Sequence, residues 1–219
     1  MKKIAITQRL ELHTPYNEVR DMLDVRWAHL FESLGFLPII LPTHYSCSRY
    51  FEHLSIDGII FSGGNDLSSV TSNPLSAVRD AFERTLLDYA VEHNVPIFGM
   101  CRGAQLIAEY FGGKLFVVQG HAGTRHRLIV SPDSAYKHLL ADIREVNSYH
   151  NYGIGDLPDD IIVSAHSPDG VVKAFEHTRH RIFCQMWHTE RENPFSEDEV
   201  KLIKAFFDNE SNYSCRRQG

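Results

Sequence analysis

The stretch Pro96-Ile97-Phe98-Gly99-Met100-Cys101-Arg102-Gly103-Ala104-Gln105-Leu106-Ile107-Ala108 runs an apolar strand through one cysteine directly into a helix. A short continuous apolar run of this kind suits a strand covered on both faces. The same alternation appears upstream. An apolar burst at residues 4–7, an amphipathic stretch over about 17–34 and a second burst at 37–41 read as a β-α-β unit. The pattern recurs at Gly58-Ile59-Ile60-Phe61, in a helical stretch over about 74–93, and in the quoted strand with its helix over 102–111. Such alternation predicts an α/β fold, a parallel sheet covered by helices. Its crossovers should be right-handed and its functional loops should lie at the carboxyl ends of the strands.

After Gly112-Gly113 the rhythm changes to short strand-like runs at 114–118, 127–130, 161–165, 171–176 and 182–187, with Pro168-Asp169-Gly170 as a turn. These predict a mixed or antiparallel extension of the same sheet. A helix over about 196–207 closes it, with Ser196 and Glu199 at capping-box spacing. No internal repeat or Pro/Gly/Ser-rich linker interrupts the chain, so residues 1–208 read as one domain. The polar segment 209–219, with Cys215-Arg216-Arg217, reads as a mobile tail.

A chain of 219 residues with 43% hydrophobic and 23% charged residues has the composition of a folded globular protein. It has no window of about 18 apolar residues that would suit a membrane span, and the apolar run after Lys2-Lys3 is too short for a signal peptide. A cytoplasmic protein with no membrane partner is therefore expected. The 22 basic residues against 28 acidic ones give a net charge of −6, without the broad basic surface that nucleic acid requires. A small anionic metabolite stays open, because a few clustered arginines suffice to bind one. Cys47, Cys101, Cys184 and Cys215 lack CxxC spacing and read as reduced thiols. The 13 histidines include His177/His180 and His121/His126, but neither pair has cysteine partners at zinc-finger spacing and no HExxH occurs. No metal site is expected.

Cys101 stands where strand becomes helix, with free N–H groups and the positive helix end beside it, a setting that favours the attacking thiolate. Gly99 and Gly103 flank it and allow close backbone approach. Packing alone would also suit a small apolar side chain there. At Gln185-Met186-Trp187-His188-Thr189-Glu190 another strand ends in histidine, followed two positions on by glutamate. An imidazole can take and return a proton while a carboxylate fixes its tautomer, so Cys101, His188 and Glu190 make a candidate triad. A solvated His–Glu surface pair is the plainer alternative. Ser62-Gly63-Gly64-Asn65 closes a third strand, and the amides of Gly64 and Arg102 are candidates for an oxyanion hole. The loop matches neither GxxxxGK[ST] nor GxGxxG, which leaves a plain turn as its alternative.

With Gly99-x-Cys101-x-Gly103-x-Gln105, the late His188-x-Glu190 and Ser62-Gly63-Gly64, the sequence resembles the class I glutamine amidotransferase superfamily. The likeness runs from Ile4 to about Phe207. It implies a flavodoxin-like three-layer sandwich, with Cys101 as nucleophile, His188 as general base and acid, and Glu190 orienting the histidine. It also implies that Gly63, Gln105 and the segment Asn147-Ser148-Tyr149-His150 hold the γ-glutamyl group. Thr189 replaces the proline often found between the histidine and the glutamate, which alters the turn.

Within the superfamily, residues 146–150 and the Gln119–His126 region resemble the γ-glutamyl hydrolase branch, and no further catalytic domain is present. Residues 6–10, Glu18-Val19-Arg20 with Trp27, residues 62–69 and residues 187–192 resemble members acting on a nucleotide conjugate. The implied reaction converts γ-glutamyl cytidine diphosphoramidate and water to glutamate and cytidine diphosphoramidate, a step in modifying bacterial capsules. No cofactor is implied. Gln8 and Arg9 follow the first strand and should stand at the ligand edge, where an arginine can pair with phosphate. Arg125 and Arg102 are further phosphate candidates, each against the alternative of a surface arginine. His121, His126 and His150 either meet ligand or fill the loop layer. Other readings are a hydrolase of another conjugate such as γ-glutamyl-GABA, a glutaminase subunit serving a partner synthase, and a noncatalytic cysteine redox sensor. Homo-oligomerisation stays open.

Overall fold

The computed structural model describes residues 1–208, and the segment 209–219 expected to be a mobile tail lies outside them. The central sheet holds β1 (Lys3–Ile6), β2 (Leu37–Ile40), β3 (Gly58–Phe61), β4 (Ile97–Met100), β5 (Ile129–Val130), β6 (Ile161–His166), β7 (Val172–His177) and β8 (Ile182–Gln185). Their spatial order is β2-β1-β3-β4-β8-β7-β6-β5. The first five in that order run parallel. The last three continue the sheet antiparallel. The parallel half and its antiparallel extension are therefore both present.

Successive strand residues point to opposite faces, and here both faces are apolar. Ile4, Ile6, Ile60 and Phe98 enter one core layer, while Ala5, Ile59, Phe61 and Ile97 enter the other. Among the described residues six α-helices cover them: α1 (Arg26–Leu34), α2 (Ser48–His53), α3 (Pro74–Glu92), α4 (Arg102–Tyr110), α5 (Lys137–Asp142) and α6 (Glu197–Asp208). Trp27, Leu30 and Phe31 of α1, Leu140 of α5 and Phe206 of α6 close the first layer. Leu86 and Leu87 of α3 and Leu106 and Ile107 of α4 close the second, with Tyr50 and Phe51 of α2 packed at its margin. The result is a three-layer sandwich. Helix α3 starts where its chemistry dictates: Asn73 accepts from the Leu75 N–H at 3.0 Å and Pro74 takes the first helical position.

Three expectations are corrected. Residues 17–22 do not belong to the first helix. Asn17 sits at φ 52°, and Glu18–Met22 pairs with Arg9–His13 as an antiparallel hairpin, so α1 starts only at Arg26. The run expected over 114–118 does not extend the central sheet, because Lys114–Val117 pairs with Tyr152–Gly155 in a separate ribbon. A third ribbon joins Ala122–Arg127 to Glu145–Tyr149. At the last helix, Ser196 Oγ accepts from the Glu199 N–H at 3.4 Å, but the Glu199 carboxylate accepts from the Thr189 hydroxyl at 2.6 Å. That half of the expected capping box has become a tertiary contact. No helix among the described residues is long and apolar enough to cross a membrane.

Helix α4 lies unusually close to β3. A Cβ on Gly103 would stand 2.2 Å from the Phe61 carbonyl oxygen, which is backbone and cannot step aside. Gly103→Ala is therefore expected to destabilise the protein by about 3 kcal/mol, the upper range for overpacking, read as a lowered urea midpoint. An unchanged midpoint would contradict this packing.

Candidate active site

Cys101 links the end of β4 to the head of α4 with φ 49° and ψ −102°. A non-glycine residue at positive φ costs about 1–3 kcal/mol unless its surroundings over-determine it. They do so here. The Cys101 N–H donates to the Gln185 carbonyl at 2.7 Å, and the Cys101 carbonyl accepts from the Gln105 N–H at 3.0 Å. A Cβ on Gly99 would meet Ile107 Cδ1 at 2.7 Å and Cys184 Sγ at 2.8 Å, so the helix can settle against the strand only over glycine. Cys47, Cys101 and Cys184 are all free thiols.

Because β8 is the parallel neighbour of β4, the residues after Gln185 emerge at the same sheet edge as Cys101. The Cys101 side chain lies within electrostatic reach of the His188 imidazole, whose Nδ1–H donates to Glu190 Oε1 at 2.6 Å. Burial disfavours a charged ring, but the attraction of Cys101 and Glu190 outweighs it and raises the His188 pKa to about 10. The backbone of His188 is clamped by Asn147. Its Oδ1 accepts from the His188 N–H at 2.9 Å and its Nδ2 donates to the His188 carbonyl at 2.8 Å. The same Nδ2 donates to Glu192 Oε1 at 2.7 Å, which also accepts from Arg125 Nη1 at 2.8 Å. Thr189 supplies a further tie, accepting from Gln185 Nε2 at 3.1 Å while donating to Glu199. Burial pushes the Glu199 carboxyl up to about 7.

The loop after β3 completes the edge. A Cβ on Gly63 would lie 2.8 Å from His188 Cε1, and one on Gly64, at φ 114°, would lie 2.8 Å from Arg9 Cβ. The Ser62 and Gly63 carbonyls accept from the Arg79 guanidinium, each at 2.9 Å. In a trans peptide the N–H opposes the carbonyl, so the Gly64 amide points away from Arg79. Arg79 Nε donates to Glu83 Oε1 at 3.0 Å, and Glu83 and Asp80 both pair with the Arg102 guanidinium. The Arg102 amide itself heads α4, where first-turn N–H groups lack intrahelical partners.

Several of the residues expected to meet ligand have partners within the protein. The Arg102 side chain is enclosed in that ion cluster and is not a phosphate contact. Arg125 is hydrogen-bonded to Glu192, and Asn147 to the His188 backbone. Gln8 donates to the Leu41 carbonyl at 3.1 Å, and Gln105 donates to the Tyr152 carbonyl at 2.9 Å. Tyr149 stays half-exposed, its ring 5.9 Å from His188 and 4.5 Å from the Arg191 guanidinium carbon. Arg9 stays exposed and lines a cleft of about 80 Å³ with Met22, Asp24, Trp27, Gly63, Gly64, His188 and Arg191. Larger hollows of about 620 Å³ are lined by none of the candidate triad or loop residues.

No sequence motif singled out Lys173, a fully buried lysine on β7. Its ammonium donates to His121 Nδ1 at 2.9 Å, Ser148 Oγ at 2.8 Å and His150 Nε2 at 3.2 Å. These donations fix the tautomers: His121 Nε2–H faces Asp169 Oδ2 at 2.9 Å, and His150 Nδ1–H donates to the Tyr152 carbonyl at 2.9 Å. His121, Ser148 and His150 thus together hold a lysine. His126 stacks on His121 with ring centroids 4.1 Å apart. Burial pushes Lys173 down to about 8 against the attraction of Asp169 and Cys101. The readable signal was a lysine in the otherwise apolar run Val171-Val172-Lys173-Ala174-Phe175.

A thiol, an imidazole and a carboxylate in sequence can shuttle one proton, and the raised His188 pKa makes the ring the charged member. A raised folded-state pKa stabilises the fold fully below the unfolded value of about 6.5. That contribution falls as pH rises and is lost through about 10. A ¹⁵N-edited NMR titration should accordingly show the His188 ring protonated until about pH 10, with the midpoint lowered in Cys101→Ala and in Glu190→Gln. A wild-type midpoint near 6.5 would contradict this arrangement.

Comparison with known proteins finds relatives over most of the chain. Gamma-glutamyl-CDP-amidate hydrolase of Campylobacter jejuni is 36% identical over 208 residues, covering 93% of this chain and 96% of that protein. The glutamine-hydrolyzing GMP synthase subunit of Thermoplasma acidophilum is 28% identical, covering 77% of this chain and 80% of that protein. A solved glutamine amidotransferase from Thermotoga maritima shares the fold, with TM-score 0.64 at 12% identity over 95% of this chain and 85% of that one. The Peptidase C26 family model matches residues 4–190. With most of the sequence inside that match, the chain belongs to the peptidase C26 family, a class I glutamine amidotransferase-like family.

Proposed function

We propose that this protein is a cysteine-dependent hydrolase of γ-glutamyl amide bonds, acting on γ-glutamyl cytidine diphosphoramidate in capsule phosphoramidate biosynthesis. The observation that carries the reading is the convergence of Cys101 and the hydrogen-bonded His188–Glu190 pair at one sheet edge. Similarity to a hydrolase of γ-glutamyl-CDP-amidate over nearly the whole of both chains supports the substrate.

In the proposed reaction the Cys101 thiolate attacks the γ-carbonyl carbon, and the Gly64 and Arg102 amides hold the resulting oxyanion. His188 gives its proton to the leaving nitrogen as the C–N bond breaks, leaving a glutamyl thioester. Water then loses a proton to the neutral His188 and attacks the thioester, releasing glutamate and restoring the thiolate–imidazolium pair. Glu190 keeps Nδ1–H in place throughout and stabilises the charged ring. A glutaminase component of a larger synthase is the second reading, favoured by the similarity to the glutamine-hydrolyzing GMP synthase subunit. It differs in requiring a partner synthase for turnover.

Cys101→Ala should lower glutamate release from the conjugate by at least about a thousandfold while leaving the circular dichroism spectrum intact. His188→Ala should cost nearly as much, and Glu190→Gln less, because it orients rather than transfers the proton. Near-normal rates in Cys101→Ala would exclude the mechanism. Glutamine turnover appearing only with a partner would favour the glutaminase reading, and an inert wild-type protein would favour a redox sensor.

A further inference from the structure

The cleft beside His188 contains more charge than the proposed chemistry uses. Two of its acids are already matched. Glu190 holds His188, and Asp24 is bidentate with Arg26, at 2.6 Å to Nη2. Two cations remain with weak partners. Arg9 pairs with Glu11 at 3.7 Å with both side chains about half exposed, and Arg191 pairs with Glu190 at 3.8 Å and also attracts Asp24 from farther off. Ion pairs this long contribute little, and both arginines keep part of their side chain in solvent. The contrast with Arg125 and Arg102, whose guanidiniums are hydrogen-bonded to carboxylates, is sharp.

Both cations are also positioned. The Arg9 stem packs where a Gly64 Cβ would stand, fixing it against the candidate oxyanion loop. The Arg191 guanidinium lies over the Tyr149 ring, which faces His188. Gln105, expected to hold the γ-glutamyl end, does not line this cleft and is turned to Tyr152. Gly63, Gly64 and His188 put the reacting carbonyl at this cleft, so a conjugate's leaving amine comes within reach of its two guanidiniums.

We propose that Arg9 and Arg191 form an anion-binding mouth that selects γ-glutamyl conjugates whose leaving amine carries negative charge. This rests on the hydrolase reading and deepens it. Phosphate oxygens suit a guanidinium fork best, and a carboxylate shares the same chemistry. Neither arginine transfers a proton. They act on specificity by holding the leaving group over His188.

The test compares wild type, Arg9→Met, Arg191→Met and the two Arg→Lys variants on three probes that share one glutamyl end. These are γ-glutamyl cytidine diphosphoramidate, γ-glutamyl-GABA and the uncharged-leaving-group γ-glutamyl-p-nitroanilide. Each Met variant should lower the ratio of kcat/KM for the phosphoramidate to that for the anilide by about tenfold or more, mainly through KM. Lysine should recover part of the loss. A parallel fall on γ-glutamyl-GABA identifies a mouth for any anion, and a fall confined to the phosphoramidate identifies one for phosphate. Unchanged ratios in both Met variants would overturn the proposal while leaving the hydrolase reading intact. Failure of wild type to cleave any probe would remove both.

Discussion

Two arginines and two carboxylates, shut together between α3 and the head of α4, hold the candidate site in register. Arg79 reaches forward to the Ser62 and Gly63 carbonyls and sideways to Glu83, and Glu83 with Asp80 grips Arg102. Asp80 also accepts from the Ser68 N–H at 2.8 Å. Any one of these charges buried alone would be prohibitively costly, so each is tolerable only while the others stay in place. That mutual dependence converts charge into geometry. The loop after β3 must turn its carbonyls toward Arg79, and its Gly64 amide is thereby directed elsewhere.

The sheet supplies the second half of the constraint. Met100 and Gln185 are distant in sequence yet paired in register, because the strand order brings β8 alongside β4. A carbonyl of the one strand end then holds the amide of Cys101 on the other. The left-handed backbone at Cys101 is sustained by the same contact that sets its neighbour's exit. His188 lies past the end of its strand and has no ladder partner to position it, so side chains take over. Asn147 grips its main chain, Glu190 its ring, and Thr189 fastens the following turn to α6.

What was legible in the sequence follows from how local each signal is. The parallel half could be read because Ile4, Ile59 and Phe98 stand in short apolar runs that only a doubly covered strand requires. Cys101, His188 and the Ser62–Gly64 loop could be read because each marks a strand end. The hairpin was hidden: Val19 and Met22, three apart, share a face at helical spacing and break strand alternation, and only Asn17 at positive φ, with pairing to Arg9–His13, reveals the strand. Asn147 and Ser148 were legible as members of a site, but not their partners. Whether an amide faces a ligand or the His188 backbone is set by a ribbon formed between distant segments. Lys173 carried a signal in plain view, a cation in an apolar strand, whose meaning depends on three acceptors from two other segments.

An acidic chain with a cationic mouth is physically consistent once charge is considered pair by pair. The surplus of −6 is a property of the whole sequence, whereas a bound anion responds mainly to charges within about one Debye length, roughly 8–10 Å. Inside that radius the carboxylates of Asp24 and Glu190 are already neutralised by Arg26 and His188. The His188 proton is held by Cys101 and Glu190, so the ring's charge balances Glu190 and leaves the field of the cleft to Arg9 and Arg191. A negatively charged leaving group would thus meet the imidazolium that protonates it and the guanidiniums that hold it along one cleft wall. The anion would in turn favour the protonated ring. Recognition and proton transfer would then strengthen each other electrostatically, which an uncharged amine could not exploit.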